Sequence, residues 1–151
     1  MSDLREYISQ VKKIKELKTI KTQVSTKYEI AGITAKVDQS NAVLFENIKE
    51  SDFRLVSNLV GTRKRFALAV GGNESNIHQK VISAIKNAKT PKITSTGKFM
   101  ENKSKNINSM PIVTHFEKES GPFITSSVAY AKNPETGKQN SSFHRMMPID
   151  K

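Results

Sequence analysis

Apolar side chains first recur at helical spacing between Asp3 and Leu17, which predicts an amphipathic helix with one buried face. Its apolar positions are Leu4, Tyr7, Ile8, Val11 and Ile14. Ser2 or Asp3 is suited to cap its start. Strict alternation follows in Leu17–Val24, where Ile20, Thr22 and Val24 lie two residues apart, and this period predicts a short strand.

The pattern then returns to helical spacing and predicts a second helix that is capped by Ser25 or Thr26 and ends at Asn41. Two compact apolar runs follow it, Ala42–Phe45 and Phe53–Leu59. Both are short enough to be strands, and the first is apolar throughout, which predicts a buried strand.

The next segments are again helical. Residues Arg63–Val70 form a predicted helix that closes at Gly71–Gly72, and Asn73–Lys89 forms another that Pro91 stops. Residues 92–108 are rich in Lys, Ser and Asn and have few apolar anchors, so they are predicted to form a loop or linker.

Strand-forming residues dominate the last part of the chain, in Met110–Thr114, Phe123–Tyr130 and Asn140–Met147. Between the last two runs lies Asn133–Gly137, whose Pro and Gly are typical of a hairpin turn. The resulting order predicts a mixed α/β domain over residues 1–105. Residues 106–151 would open a β-barrel or sandwich domain.

Pairing the two hairpin strands across this turn predicts which side chains share a face. Alternation places six small or polar side chains together: Thr125, Ser127, Ala129, Asn140, Ser142 and His144. That face suits a flat ligand with hydrogen-bonding edges, but periodicity alone favours a hairpin whose polar face meets water. Alternation places Arg145 on the opposite face of the strand from Asn140. The two side chains can reach one site only if the strand has a bulge or a sharp twist between them; otherwise Arg145 is a surface arginine.

Other candidate sites are weaker. His115, Glu117 and Glu119 are spaced by two in an irregular segment, which does not define a coordination geometry, and we interpret them as a surface loop. His78 is interpreted as a partly exposed helix residue. The Gly71–Gly72 pair follows a predicted helix rather than a strand, which favours a helix–helix corner over a phosphate cradle.

Composition narrows the class of protein. The 151 residues contain no Cys, which excludes a disulfide framework and thiolate catalysis and fits a reducing cytoplasm. The mean hydropathy is −0.51, and no apolar run approaches membrane-spanning length, so we expect a soluble cytoplasmic protein with no membrane span.

The net charge is +11. The charge is spread along the chain and is densest at Arg63–Lys64–Arg65. A solvated, lysine-rich surface is the preferred interpretation, and nucleic acid is not expected as a partner. The alternative is a non-catalytic basic module that binds nucleic acid or a partner protein.

Six segments, in order, resemble the UbiD-like carboxy-lyases, the prenylated-FMN-dependent decarboxylases that include 3-octaprenyl-4-hydroxybenzoate carboxy-lyase. They are LREYISQV, YEIAGIT, AVLFENIK, VSNLVGTRKRFALAVG, MPIVTHFEKESGPFITSSV and NPETGKQNSSFHRMM. The resemblance spans nearly the whole chain and corresponds to the N-terminal part of the family. It implies a split β-barrel that binds the flavin after the α/β domain.

The resemblance also implies roles for hairpin residues. Asn140 matches a ligand of the divalent metal, manganese or magnesium, that bridges to the flavin phosphate, and an amide oxygen suits such a cation. Arg145 matches the arginine of the catalytic Arg–Glu–Glu network and also lies at the cofactor. The other cofactor-binding matches are Thr125, Ser142, Phe143 and His144, although the family commonly has Tyr or Ala in place of His144.

The family's remaining metal ligands and its two catalytic carboxylates are expected beyond Lys151. The resemblance therefore implies the N-terminal portion of a decarboxylase acting on an aromatic or α,β-unsaturated acid, inactive without its C-terminal half. That half could be a second polypeptide, and the chain a split-gene subunit or a degenerate remnant. The substrate is left open.

Overall fold

A computed structural model describes residues 3–90, 92–97, 101–104 and 106–149. Its helices are α1 Leu4–Lys13, α2 Glu29–Lys36, α3 Arg63–Ala69 and α4 Ile77–Lys86. Its strands are β1 Leu17–Ile20, β2 Ala42–Phe45, β3 Leu55–Ser57, β4 Ile124–Lys132 and β5 Gln139–Met146. The predicted helices and the strands of both sheets are confirmed, mostly with narrower bounds.

The sheet of the N-terminal part has the order β1-β2-β3, with β1 parallel and β3 antiparallel to the central strand β2. Helix α2 lies between β1 and β2 in the chain, as a parallel connection requires. Strand β2 is apolar throughout because both of its faces are covered. Val43 and Phe45 belong to a core cluster with Ile30 of α2, whereas Ala42 packs with Tyr7 and Val11 of α1.

A buried arginine joins α3 to the sheet. The side chain of Arg65 is fully buried, and its Nη1 donates to Glu16 Oε2 at 3.0 Å and to the Ser40 carbonyl at 2.9 Å. Its Nε and Nη2 donate to the carbonyls of Leu59 and Asn58, each at 3.2 Å. The buried guanidinium thus has the partners that burial of a charge demands.

The run Arg63–Lys64–Arg65 is therefore not the exposed basic cluster that the sequence suggested. Lys64 pairs with the same Glu16 carboxylate as Arg65. Arg63 remains exposed and donates to the Glu74 carbonyl. Successive residues of a helix project about 100° apart, so adjacent cations face different surroundings.

The ends of α3 follow the sequence signals. The Thr62 side chain accepts a hydrogen bond from the Arg65 amide, as an N-cap does. Beyond the helix, Gly72 N donates to the Ala67 carbonyl and Gly71 N to the Leu68 carbonyl, which is the Schellman pattern. Gly71 has φ of 70°, so the predicted glycine C-cap is confirmed.

The structure selects one of the two predicted caps of α1 and corrects the predicted cap of α2. Asp3 caps α1, while Ser2 lies outside the described residues. Neither Ser25 nor Thr26 caps α2, which begins after Tyr28, because the Glu50 carboxylate binds the Ser25 hydroxyl and the Thr26 amide. These bonds hold both residues outside the helix.

Helix α4 begins four residues later than predicted. The Asn73 side chain accepts from the amides of Ser75 and Asn76, a local turn that competes with the helix. The predicted stop, Pro91, lies outside the described residues.

The predicted strand Met110–Thr114 is wrong. Val113 and Thr114 each form a single isolated bridge, to Phe123 and Lys27 respectively. Val113 is nevertheless buried in the core cluster around Phe45, so this segment packs against the N-terminal part as an extended loop. No helix within the described ranges is long and apolar enough to cross a membrane.

Candidate functional site

The β4–β5 hairpin has the predicted register. Ala131 pairs with Asn140, Ala129 with Ser142, and Ser127 with His144. The turn closes because the Asn133 side chain accepts from the amides of Glu135 and Thr136, and Gly137 takes φ of 68°. Local turn chemistry therefore sets which side chains share a face.

One face of the hairpin is lined by small side chains. Ser127, Ala129 and Ser142 are half-buried there, while Asn140 and His144 are exposed. Two hydroxyls beside an alanine leave room for a flat group and offer it hydrogen-bond donors and acceptors. This face can accept a planar ligand from the side of the hairpin.

A bulge removes Thr125 from the predicted face. Ile124 pairs with Met146, so β4 carries one extra residue between Ile124 and Ser127. Ile124 therefore takes the place that uninterrupted alternation assigns to Thr125, and Thr125 lies in the bulge, exposed. The sequence contains no signal that locates this bulge.

The structure does not bring Asn140 and Arg145 onto one face. The pairing of β5 is unbroken from Gln139 to His144, and the bulge lies in the opposite strand, so the parity difference between Asn140 and Arg145 remains. Phe143 lies on the Arg145 face, paired with Val128, and is 86% exposed. The proposed site residues are thus divided between the two faces.

Arg145 contacts the segment that leads into β4. Its guanidinium carbon lies 4.4 Å from the ring centroid of Phe123, and its Nη1 lies 3.8 Å from Glu119 Oε1. The Glu119 side chain is only 10% exposed, and its other oxygen accepts a 2.9 Å hydrogen bond from the His115 amide. Arg145 is therefore an arginine with a carboxylate and an aromatic ring beside it.

Sequence reasoning missed this partner, because it weighed Glu119 only as a possible metal ligand and preferred to interpret it as part of a surface loop. A signal was available in the hairpin register. Even without the bulge, the predicted register brings the start of β4 to the end of β5, so the residues just before Ile124 must pass close to Arg145. The spacing of four between His115 and Glu119 also suits a tight turn, which the Glu119 amide closes by donating to the Phe116 carbonyl.

The donors present do not by themselves fit a divalent metal. Among the described residues there is no group of three or more His, Asp or Glu side chains that could hold one. Asn140 is an exposed amide on a β-strand and supplies a single oxygen. A divalent cation of the Mg²⁺ or Ca²⁺ type takes several oxygen ligands.

Two models of one enzyme family match this chain. Residues 8–85 match the 3-octaprenyl-4-hydroxybenzoate carboxy-lyase N-terminal domain, and residues 86–151 match the Rift-related domain of the same enzyme family. An anhydromevalonate phosphate decarboxylase of Methanothermobacter thermautotrophicus is 35% identical over 136 residues, covering 89% of this chain and 31% of the relative. A subunit of the 4-hydroxybenzoate decarboxylase of Chlamydia pneumoniae is 28% identical, covering 97% of this chain and 29% of the relative.

Solved structures agree with this assignment. The UbiD-class enzyme HmfF from Pelotomaculum thermopropionicum in complex with FMN is 28% identical with a TM-score of 0.88, covering 95% of this chain and 34% of that one. An evolved dimeric form of HmfF in complex with prFMN is 27% identical with a TM-score of 0.86, covering 97% and 36%. The chain spans about a third of the length of these relatives. This chain therefore belongs to the UbiD family of carboxy-lyases.

Proposed function

We propose that these residues form the N-terminal part of a prenylated-FMN-dependent decarboxylase that acts on an aromatic or α,β-unsaturated carboxylic acid. The observation that carries the proposal is the family match across both domains, in which the hairpin bearing Asn140 and Arg145 lies in the Rift-related domain. Both HmfF structures, of similar fold, hold a flavin, which supports the cofactor.

The small-residue face of the hairpin fits a planar cofactor edge. Prenylated FMN, when bound, supplies the electron-accepting group that decarboxylation requires. On this chain, the hydroxyls of Ser127 and Ser142 would bind polar edges of the flavin, and His144 would contact it from the same face. Phe143 lies on the opposite face and would contact the cofactor only from the Arg145 side of the hairpin. Thr125 in the bulge would contribute a further hydroxyl.

Arg145 is proposed as the residue that binds the substrate carboxylate. Its guanidinium is permanently charged and offers a fork of donors suited to a carboxylate. It is 67% exposed, so part of the fork remains open beside Glu119 and Phe123. Holding the carboxylate in one orientation is the contribution that a positioned arginine would make to the reaction.

Asn140 would give a divalent metal one oxygen ligand, and we derive no step through that metal. The described residues lack the rest of a coordination shell, and the relatives are about three times longer. We propose that the remaining ligands and the acidic proton donor come from a segment or a second polypeptide outside these 151 residues. The chain alone is then expected to release no CO₂.

Complementation tests this function. The chain would be produced together with the part of the Methanothermobacter relative that follows the matched region, supplied with prenylated FMN, and assayed for CO₂ release from 4-hydroxybenzoate and anhydromevalonate phosphate. Activity of the pair and not of the chain alone supports the proposal. CO₂ release by the chain alone would refute the claim that essential groups lie elsewhere.

A matched pair of variants tests the role of Arg145. Arg145→Ala is expected to abolish CO₂ release by the complemented pair, because the carboxylate loses its charged partner. Lys132→Ala removes an exposed cation from the same hairpin and is expected to leave the rate unchanged. Equal rates for the two variants would exclude Arg145 from the reaction.

A further inference from the structure

The guanidinium of Arg145 contacts protein groups on one side and is open to solvent on the other. One side of the guanidinium meets the Phe123 ring at 4.4 Å and the Glu119 carboxylate at 3.8 Å. The side chain is otherwise 67% exposed. An exposed arginine on a β-strand ordinarily samples many rotamers, so these two contacts restrict a side chain that the strand itself does not hold.

Glu119 is held independently of Arg145. Its Oε2 accepts from the His115 amide at 2.9 Å, and its own amide donates to the Phe116 carbonyl at 3.1 Å. The first bond holds the carboxylate, the second closes the turn of residues 115–119, and neither involves Arg145. Glu119 is thus a preorganised anion at the edge of the hairpin.

Burial gives this carboxylate a need for a cation. Only 10% of its side chain is exposed, and a buried carboxylate is costly unless it is paired. His115 Nδ1 lies 3.8 Å from Oε2, but an imidazole is charged only when protonated. Arg145 carries its charge at every relevant pH and therefore is the permanent counter-ion.

We propose that Glu119, assisted by Phe123, is a positioning residue that fixes the guanidinium of Arg145 so that its free edge faces the ligand. The inference rests on the proposed function, which assigns Arg145 to the substrate carboxylate. Because Glu119 belongs to the turn of residues 115–119, a change in the conformation of that turn would change the orientation of the Arg145 side chain. Glu119 itself need not touch the substrate.

The contact is tested on the full 151-residue chain by NMR of the arginine side chains. In ¹⁵N-labelled protein, the Nε–Hε cross-peak of Arg145 is assigned by its loss in Arg145→Lys. Glu119→Gln keeps an oxygen that can accept from the His115 amide but removes the charge. We expect it to move the Arg145 cross-peak to the position of a free arginine and to leave the backbone spectrum largely unchanged.

Glu117→Gln is the matched control, because Glu117 is an exposed carboxylate in the same turn. It should leave the Arg145 cross-peak in place, and Glu119→Asp should restore part of the original shift. An Arg145 cross-peak that Glu119→Gln does not move would overturn the proposal. Should Glu119→Gln fail to fold, Glu119→Asp makes the test instead, because it draws the charge back from Arg145 by one methylene group; an Arg145 cross-peak that it does not move would overturn the proposal.

The functional consequence is measured in the complemented pair. Glu119→Gln is expected to slow CO₂ release by about 2- to 5-fold, the factor that a solvent-facing ion pair supports, with Glu117→Gln unchanged. A displaced cross-peak with an unchanged rate would refute the positioning role. The absence of CO₂ release from the unsubstituted complemented pair would refute the proposed function. The cross-peak by itself decides whether Glu119 holds the Arg145 side chain.

Discussion

Replacing Arg65 with methionine is expected to cost much of the stability of the N-terminal part. Methionine has a similar length but offers no donors. The substitution removes four side-chain hydrogen bonds, one to Glu16 and three to the carbonyls of Leu59, Ser40 and Asn58. The side chain is fully buried, so water cannot replace those bonds without opening the structure.

The magnitude follows from what remains unpaired. Removing one partner of a buried ion pair costs about 3–5 kcal/mol. Two features reduce the loss here: Glu16 keeps Lys64 as a partner, and the Leu59 carbonyl keeps the hydroxyl of Tyr7. We therefore expect Arg65→Met to lower the free energy of unfolding by roughly 3 kcal/mol, against a total of about 5–15 kcal/mol for a typical domain.

The neighbouring lysine provides the control. Lys64 pairs with the same Glu16 carboxylate, but its side chain is 55% exposed, and exposed pairs contribute about 0–1 kcal/mol. Urea unfolding followed by far-UV circular dichroism would compare Arg65→Met and Lys64→Met under the same conditions. If both variants lose the same small amount, Arg65 is not a buried connection between α3 and the sheet.

Three further predictions concern other parts of the fold. Phe45→Ala should lower the free energy of unfolding by about 3–5 kcal/mol in the same urea assay, because its ring is fully buried in the core, and a loss under about 1 kcal/mol would contradict that packing. Gly137→Ala should cost about 1–2 kcal/mol, because the turn holds φ at 68°, and an unchanged midpoint would show that the turn does not need this conformation. The hydrogen bond from Lys64 lowers the pKa of the Glu16 carboxyl below its usual 4.5. The ionised Glu16 carboxylate therefore stabilises the fold above pH 4.5, and this stability is lost as the pH falls through the lower pKa of the folded state. Acid titrations of unfolding should therefore be flatter for Glu16→Gln than for the unsubstituted chain, and parallel curves would refute the linkage.

Much of the fold could be predicted because its signals are local. The apolar period of α1, the continuous apolar run of β2 and the glycine pair after α3 each arise from the backbone preferences of a few consecutive residues. The hairpin register also followed from one turn. By contrast, the caps of α2 and the strand at Met110–Thr114 were predicted wrongly, because contacts with Glu50 and with the N-terminal core replaced the local pattern.

In the candidate site, too, local features could be predicted from the sequence and contacts between distant segments could not. Alternation placed Ser142 opposite Ala129 correctly, but it could not locate the bulge that displaces Thr125. Nor could it place Glu119 beside Arg145, because that contact joins residues 26 positions apart through a turn and a strand pairing. The roles of Asn140 and Arg145 toward metal and substrate stay predictions that the complementation and variant assays address.

By itself, the sequence determined most of the helices and strands, the hairpin turn and the membership of a family. Each of these depends on periodicity, turn residues or motifs within short stretches of consecutive residues. Only the tertiary structure decided that one of three adjacent cations is buried and that a loop glutamate faces the hairpin arginine. The physical reason is that burial and ion pairing depend on which distant segments meet, and on the desolvation that follows when they do.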